Sequence, residues 1–312
     1  MDSKNMNYIF NVEYFKNISI DQNNIECSDL QKNNDQIFSF KFVRDDTLDE
    51  WSKIDNYQNF DLYTMYPGML IGVGYPHEIA IDGALKCGFS FDYVTGLPYI
   101  PGSSLKGMLR SYFPGDGKSN EVDEECKEYI DGLLQELGFE KQEINIELLK
   151  EDMFEKGDIF LGAYPKVNNE QRILDSEFIT PHKEKFKNPI PISLLKVRPG
   201  VCFQFGFVFR DAEDVIISSE KKLELCRKIL LDMGIGAKTN IGFGALSENK
   251  PKIHKLVKKQ GANSNTKENS DKKGFANTCT KCNKNFCTKK DENTYYDICY
   301  SCFKKKNCSK MR

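Results

Sequence analysis

The sequence predicts an α+β protein with a small cysteine-rich module at its C-terminus, on three observations. Two helical stretches, Leu105–Tyr112 and Glu220–Met233, carry apolar residues at spacings of three and four. Between them, Val201, Phe203, Phe205, Phe207 and Phe209 alternate at strict period two, the pattern of a strand. Finally, six of the 11 cysteines fall in the last 34 of 312 residues. A chain of this length can bury one large or two modest cores.

Taken in order, residues 1–60 are rich in Asn, Asp and Lys and read as an extension packing on the main domain. One strand is expected there, Ile37–Val43, and Trp51 is assigned to packing. Tyr66–Gly74 is the expected first strand of the domain, followed by His77-Glu78 in a loop. Two prolines and two glycines in Thr95–Gly102 then lead to Ser103 or Ser104 as N-cap of a short helix. Lys106 and Arg110 lie four apart on its polar side, so free amides and cations together offer a phosphate seat. Acidic helical segments Glu121–Leu137 and Glu143–Met153 form an inserted hairpin, about 114–155.

Strands are expected at Gly157–Pro165 and Leu174–His182, the latter ending at Pro181. Asn188–Phe209 reads as a hairpin about Pro199-Gly200, its aromatic stripe assigned to the core rather than to base stacking. Glu220–Met233 buries Leu223, Cys226, Ile229, Leu230 and Met233, and Ile241–Ser247 is the final strand. The sum is a βαββαβ unit with insertions over 61–248, the ferredoxin-like (RRM-like) plan.

Between the second helix and the last strand, Met233–Ala245 holds four glycines with Lys238, Thr239 and Asn240 among them. Glycine permits positive φ and close backbone approach; Lys, Thr and Asn add a cation, a hydroxyl and an amide. The spelling fits neither a P-loop nor a dinucleotide fingerprint, because the helix precedes the loop and Ala237 separates Gly236 from Lys238. Two readings stay level on this evidence: a phosphate cradle, or a glycine-rich turn with Gly234 as αL cap.

Charge divides the chain. Residues 249–312 hold 17 Lys and Arg against 5 Asp and Glu, a formal +12, whereas 1–248 hold 27 against 41, a formal −14. Such asymmetry points to a nucleic-acid-seeking or solubilising tail on an acidic body. Met1–Asn7 has no apolar core after its Lys, and no apolar run approaches about 20 residues. A cytoplasmic protein without a membrane partner is expected.

These motifs carry a resemblance. Tyr99–Arg110, after Leu70–Gly74 and His77-Glu78, looks like the first signature of the RAMP superfamily of CRISPR proteins, and Gly234–Gly244 resembles its glycine-rich motif. Leu174–His182, Ile190–Ile192 and Gly234–Asn240 are similar to the Cmr subunit six family of type III-B effector complexes. The likeness implies a non-catalytic scaffold subunit near the 3′ end of a guide RNA, with CRISPR guide RNA, target RNA and other Cmr/RAMP subunits as partners. Ser103, Ser104, Lys106, Arg110, Gly236, Lys238, Thr239 and Asn240 are then the RNA-binding residues, the cations Lys106, Arg110 and Lys238 along one stripe. The alternative is a RAMP-type endoribonuclease using His77 or His182.

The likeness stops at Asn249. Residues 249–274 are polar and basic without apolar period, the composition of a disordered linker. Beyond it, Cys279, Cys282, Cys299 and Cys302 give C-x2-C-x16-C-x2-C, a zinc-ribbon spacing for one structural Zn2+ within a module at 275–312. Cys287 is an alternative ligand and Cys308 is left free. Aromatics among the lysines of this module suit single-stranded nucleic acid or docking on protein equally.

Overall fold

A computed structural model describes residues 5–16, 19–21, 24–26, 30–43, 47–72, 77, 83–115, 117, 119–179, 191–211 and 215–251, and five short strand segments between 254 and 295. The chain divides into two compact units, Met1–Asn249 and Lys250–Arg312.

In the first unit, α1 (Met6–Asn11) is capped by Asn5, whose side chain accepts from the Tyr8 amide. A short hairpin, β1 (Ser19–Asp21) with β2 (Asn24–Glu26), leads to α2 (Leu30–Ser39) and α3 (Thr47–Trp51). Then follow β3 (Tyr57–Thr64), β4 (Ile100–Pro101), α4 (Gly102–Arg110), α5 (Asn120–Glu136), α6 (Ile146–Glu155) and β5 (Ile159–Pro165). The unit ends with β6 (Leu174–Ile179), β7 (Ile192–Val197), β8 (Cys202–Val208), α7 (Ser219–Met233) and β9 (Leu246–Ser247).

The fold is α+β, built on an antiparallel sheet of order β4-β5-β8-β3-β9. Asn59 lies opposite Gly206, and Gly206 opposite Gly162. One sheet face turns Leu62, Phe203, Phe205 and Phe207 into a core shared with Leu105 and Leu109 of α4 and Leu225, Ile229 and Leu230 of α7. The aromatic stripe is therefore core, as its period required: each of those phenylalanines is fully buried. On the opposite face Trp51 closes over Gly206, where an added Cβ would meet its ring at 2.8 Å. Tyr164 meets the Trp51 ring edge-on at 5.2 Å, so Trp51 does pack.

Several elements differ from expectation, each for a physical reason. Ile37 belongs to α2, because Leu30, Asn33 and Ile37 recur at spacings of three and four toward the core; only Phe42 of Ile37–Val43 bridges a strand-like partner, Gln171. The first sheet strand is Tyr57–Thr64 rather than Tyr66–Gly74. Its outward positions, Asn59 and Asp61, are polar and exposed, which disguised it as loop. Tyr66–Gly72 instead turns through a cis Tyr66–Pro67 bond and touches the hairpin strand once, Met69 opposite Val197.

Pro101, not a serine, occupies the N-cap of α4, and no side chain caps it. The helix starts directly off β4 because Gly102 lies on the β5 backbone: a Cβ there would sit 1.9 Å from the Phe160 oxygen. Nor do β7 and β8 form a hairpin. β7 pairs with β6 in a separate two-stranded sheet, while β8 lies between β5 and β3. Thr64 divides them: its hydroxyl donates to the Arg198 oxygen (2.6 Å) and accepts from the Val201 amide (3.0 Å), gripping the Pro199-Gly200 turn from the end of β3. The expected last strand shrinks to Leu246–Ser247, since Thr239–Ile241 is a 3-10 turn. In α7, Lys222 and Leu225 are buried with Cys226, whereas Leu223 and Met233 are only partly covered.

The acidic insertion forms helices near its expected bounds. Ser119 caps α5 and Asn145 caps α6, and both pack inward through Ile130, Leu133, Leu134, Leu149 and Met153.

In the second unit, β10 (His254–Lys255) lies within the stretch expected to be linker. It pairs with β14 (Thr294–Tyr295), which pairs with β13 (Lys289–Asp291). Strand β11 (Asn277–Thr278) pairs with β12 (Asn285–Phe286). All six cysteines of the tail, including Cys279, Cys282, Cys299 and Cys302, lie outside the described residues, as does His182. No helix among the described residues is long and apolar enough to cross a membrane.

Candidate nucleic-acid interface

The glycine-rich loop leaves α7 at Gly234, whose φ of 72° and ψ of −175° are not those of an αL cap but remain glycine territory. Its glycines serve backbone-to-backbone packing. A Cβ on Gly234 would lie 2.6 Å from the Gly244 oxygen, and one on Gly244 only 1.8 Å from the Ile235 oxygen. Gly236 approaches Leu70 in the same way, at 2.5 Å from its oxygen. Main-chain bonds lock these contacts: Ile235 N–H to Gly244 O (2.9 Å), Ala237 N–H to Leu70 O (2.9 Å) and Gly244 N–H to Gly68 O (2.8 Å). Beneath the loop, Leu70, Leu194 and Phe243 form a small buried cluster with Ile179 and Ile192.

What the loop shows to solvent is its crown. Gly236, Ala237, Lys238 and Asn240 are exposed, with Thr239 half-buried. Lys238 adopts the left-handed region (φ 61°, ψ 35°) and Thr239 opens the 3-10 turn. A left-handed residue followed by a helical one makes successive main-chain N–H groups converge in an anion-sized nest. The amides of Lys238 and Thr239 have no acceptor among the described residues. The Lys238 ammonium likewise meets no carboxylate among them. Holding a lysine in this region costs roughly 1–2 kcal/mol, strain of the kind that collects at binding sites.

Helix α4 offers less. Ser103 and Ser104 are exposed in its first turn, where main-chain N–H groups lack intrahelical partners. The Lys106 ammonium lies over the Phe160 ring at 5.8 Å, and Arg110 is tied to Glu155 of α6 at 2.5 Å. The two clusters lie beside opposite edge strands in the order of the sheet. Helix α4 follows the edge strand β4 and runs back toward Phe160. The glycine loop precedes the other edge strand, β9, which pairs with the opposite end of β3. The structure thus brings Gly236, Lys238, Thr239 and Asn240 together in one loop before β9 and places Ser103, Ser104, Lys106 and Arg110 on the helix that follows β4.

His77 is only 3% exposed. Its Nδ1 lies 2.8 Å from the Leu85 oxygen and its Nε2 2.8 Å from the Phe10 oxygen, while its ring stacks on Phe10 at 3.9 Å. Both nitrogens face main-chain carbonyls, which leaves neither to a substrate. His77→Ala is expected to destabilise the fold by about 1–3 kcal/mol, since it removes a buried ring stacked on Phe10 and strands the carbonyl to which its N–H donates; urea unfolding measures it. Burial pushes the Cys226 thiol far above its ordinary range, so it is no nucleophile. No cluster able to hold a metal occurs among the described residues.

One buried polar group went unforeseen. Lys222 is fully buried, donating to Asp152 and, at 2.8 Å, to Asp158. Its position on the apolar face of α7, three and four residues before Leu225 and Cys226, was the available signal.

A family model described as the RAMP superfamily matches residues 61–247, well over half of the chain. The chain belongs to the RAMP superfamily. Among curated proteins, this RAMP protein is 29% identical to "CRISPR system CMR subunit Cmr6" of Saccharolobus solfataricus, over 53% of this chain and 50% of that one. It is 30% identical to "CRISPR system Cmr subunit Cmr6" of Pyrococcus furiosus, over 49% of this chain and 58% of that one. The RAMP protein thus spans little more than half the length of the curated relatives it matches. Among solved structures, a cryo-EM structure of the type III-B Cmr-beta complex bound to cognate target RNA aligns with 25% identity and a TM-score of 0.43, covering 77% of this chain and 84% of that one. The crystal structure of Cmr6 from Pyrococcus furiosus aligns with 23% identity and a TM-score of 0.40, covering 62% and 98%. The RAMP match begins inside β3, so α1, α2 and α3 lie before it.

Proposed function

We propose that this RAMP protein is a non-catalytic, RNA-binding scaffold subunit of a type III-B CRISPR (Cmr) effector complex in the cytoplasm. It contacts guide RNA and paired target near the 3′ end of the guide, beside other Cmr subunits. Its likeness to two Cmr6 proteins supports the assembly. The observation that carries RNA binding is the exposed crown at Lys238, where an ammonium without a carboxylate partner among the described residues and convergent amides suit a phosphate. Such a seat grips sugar-phosphate without reading bases, and base pairing supplies the sequence. Ser103, Ser104, Lys106 and Arg110 of α4 form a second, weaker contact farther along the same strand of RNA.

We read the first unit as ferredoxin-like: the chain order β3-α4-β5-β8-α7-β9 with sheet order β5-β8-β3-β9 is that of a βαββαβ unit. The second unit is read as a zinc-ribbon-like module.

Lys238→Ala is expected to weaken RNA binding in the assembled complex and to lower the slope of log K against log[salt] by about 0.7–0.9, one phosphate contact. An unchanged slope would sink the crown as a phosphate seat. The buried, doubly engaged His77 disfavours the endoribonuclease reading. For His182→Ala in the complex we expect unaltered cleavage of guide and target; lost cleavage would restore that reading.

A further inference from the structure

The loop between Phe91 and Pro98 is locked both from within and from α1. Phe91 and Pro98 form an antiparallel bridge, and Phe91 and Leu97 are rooted in the core. The Asp92 amide donates to the Leu97 oxygen (2.9 Å) and the Gly96 amide to the Asp92 oxygen (2.9 Å). The Asp92 carboxylate accepts from the Val94 amide (3.0 Å), from the Thr95 amide (2.7 Å) and hydroxyl (2.9 Å), and from the Tyr164 hydroxyl (3.0 Å). From the other side Asn5 donates to the carbonyls of Tyr93 (3.0 Å) and Val94 (3.2 Å). Gly96, at φ +70°, lies against the start of α1, where a Cβ would stand 2.7 Å from the Met6 nitrogen. At the tip of this pedestal Tyr93 and Val94 are 83% and 88% exposed. Apolar side chains scattered singly over a surface are ordinary. Two in succession on an immobilised backbone are the arrangement of an interface anchor, because little ordering remains to be lost when they bind.

We propose that Tyr93 and Val94 form a knob that docks into an apolar pocket on another protein subunit of the effector complex. The assembly itself rests on the proposed function, whereas the chemistry of the partner rests on the loop. The carbonyls of Tyr93 and Val94 and the amides of Val94 and Thr95 are already engaged within the protein, so the tip offers side chains rather than main-chain groups. The charge built into the loop is the Asp92 carboxylate, which repels a phosphate and so disfavours RNA as the occupant. Tyrosine supplies a large contact area with only two side-chain torsions to fix, and its hydroxyl takes a polar partner at the rim of a pocket.

The test uses the full-length chain co-expressed with the other Cmr subunits and a guide RNA. Tyr93→Ser with Val94→Ser is expected to weaken incorporation into the complex about ten-fold or more. Its melting temperature should stay within about 2 °C of wild type, since both side chains are exposed. Tyr93→Phe keeps the ring and should assemble nearly as well as wild type. A benzophenone side chain placed at position 93 of the assembled complex gives a readout independent of the double variant. Irradiation should crosslink this chain to another Cmr subunit, identified by mass. A crosslink to RNA, to a second copy of this chain or to nothing overturns the proposal. A complex that forms equally well with the double variant overturns it alone and leaves the proposed function standing. A wild-type chain that enters no complex removes the proposed assembly, and the knob with it.

Discussion

Replacing Lys222 with alanine is expected to lower the unfolding free energy by about 3–5 kcal/mol, the cost of breaking a buried ion pair from one side. The ammonium is fully buried at the start of α7 and donates to Asp152 of α6 and to Asp158 just before β5. Asp158 also accepts the Arg210 amide at 3.1 Å, with the Arg210 Nε at 3.7 Å from the same oxygen. One cation therefore joins the inserted helices, the sheet and the second helix. Removing it leaves two buried carboxylates facing each other without their main counter-charge.

The size of that loss does not mean that the pair itself stabilises strongly. Desolvating three charges offsets most of their attraction, so an apolar replacement of matching shape should cost far less. Lys222→Met together with Asp152→Leu is accordingly expected to recover part of the loss seen in Lys222→Ala. Urea unfolding followed by Trp51 fluorescence measures both. A cost below about 1 kcal/mol for Lys222→Ala would mean that water reaches the site and the charges are not buried.

Gly244→Ala is expected to cost about 3 kcal/mol or more, from overpacking and positive-φ strain together. The φ of Gly244 is +72°, and the new Cβ would lie 1.8 Å from the Ile235 oxygen, a main-chain atom that cannot rotate away. The Ile235–Gly244 and Gly244–Gly68 bonds that shape the loop would break with it. Lys238→Ala, at an exposed position, should alter stability by no more than about 0.5 kcal/mol while reducing RNA affinity. The pair of variants separates the packing role of the loop from its proposed role in RNA binding. If Gly244→Ala melted at the wild-type temperature, the close packing of the loop would be wrong.

The glycine-rich turn accounts for the packing of the loop, and the phosphate cradle is the role proposed for its crown. Gly234, Gly236 and Gly244 are required by the protein's own backbone, and the crown they support is what solvent sees. From the spelling alone, glycine needed for a ligand and glycine needed for a neighbouring strand look the same. The neighbour, Gly68–Leu70, lies far away in the chain.

Elements governed by local period were legible. Helices α5, α6 and α7 announce themselves through apolar spacing, and β8 through its alternating phenylalanines. Strand β3 was not, because a sheet edge-on to solvent allows Asn59 and Asp61 on its outer face. The α4 start was misread for a related reason. Serines next to a helix look like caps, but Gly102 packing on Phe160 decided where the turn begins.

By itself the sequence determined the helices from α4 to α7, the period of the core strand, the acidic body with its basic cysteine-rich tail, and the RAMP motifs. These are properties of neighbouring residues. Tertiary structure alone decided that β7 pairs with β6, that the cations of α4 and the glycine loop lie at opposite edges of the sheet, and that His77 and Lys222 are buried. Strand order and burial depend on partners distant in the chain, such as Thr64 gripping the turn before Val201, and no local pattern encodes which partner arrives.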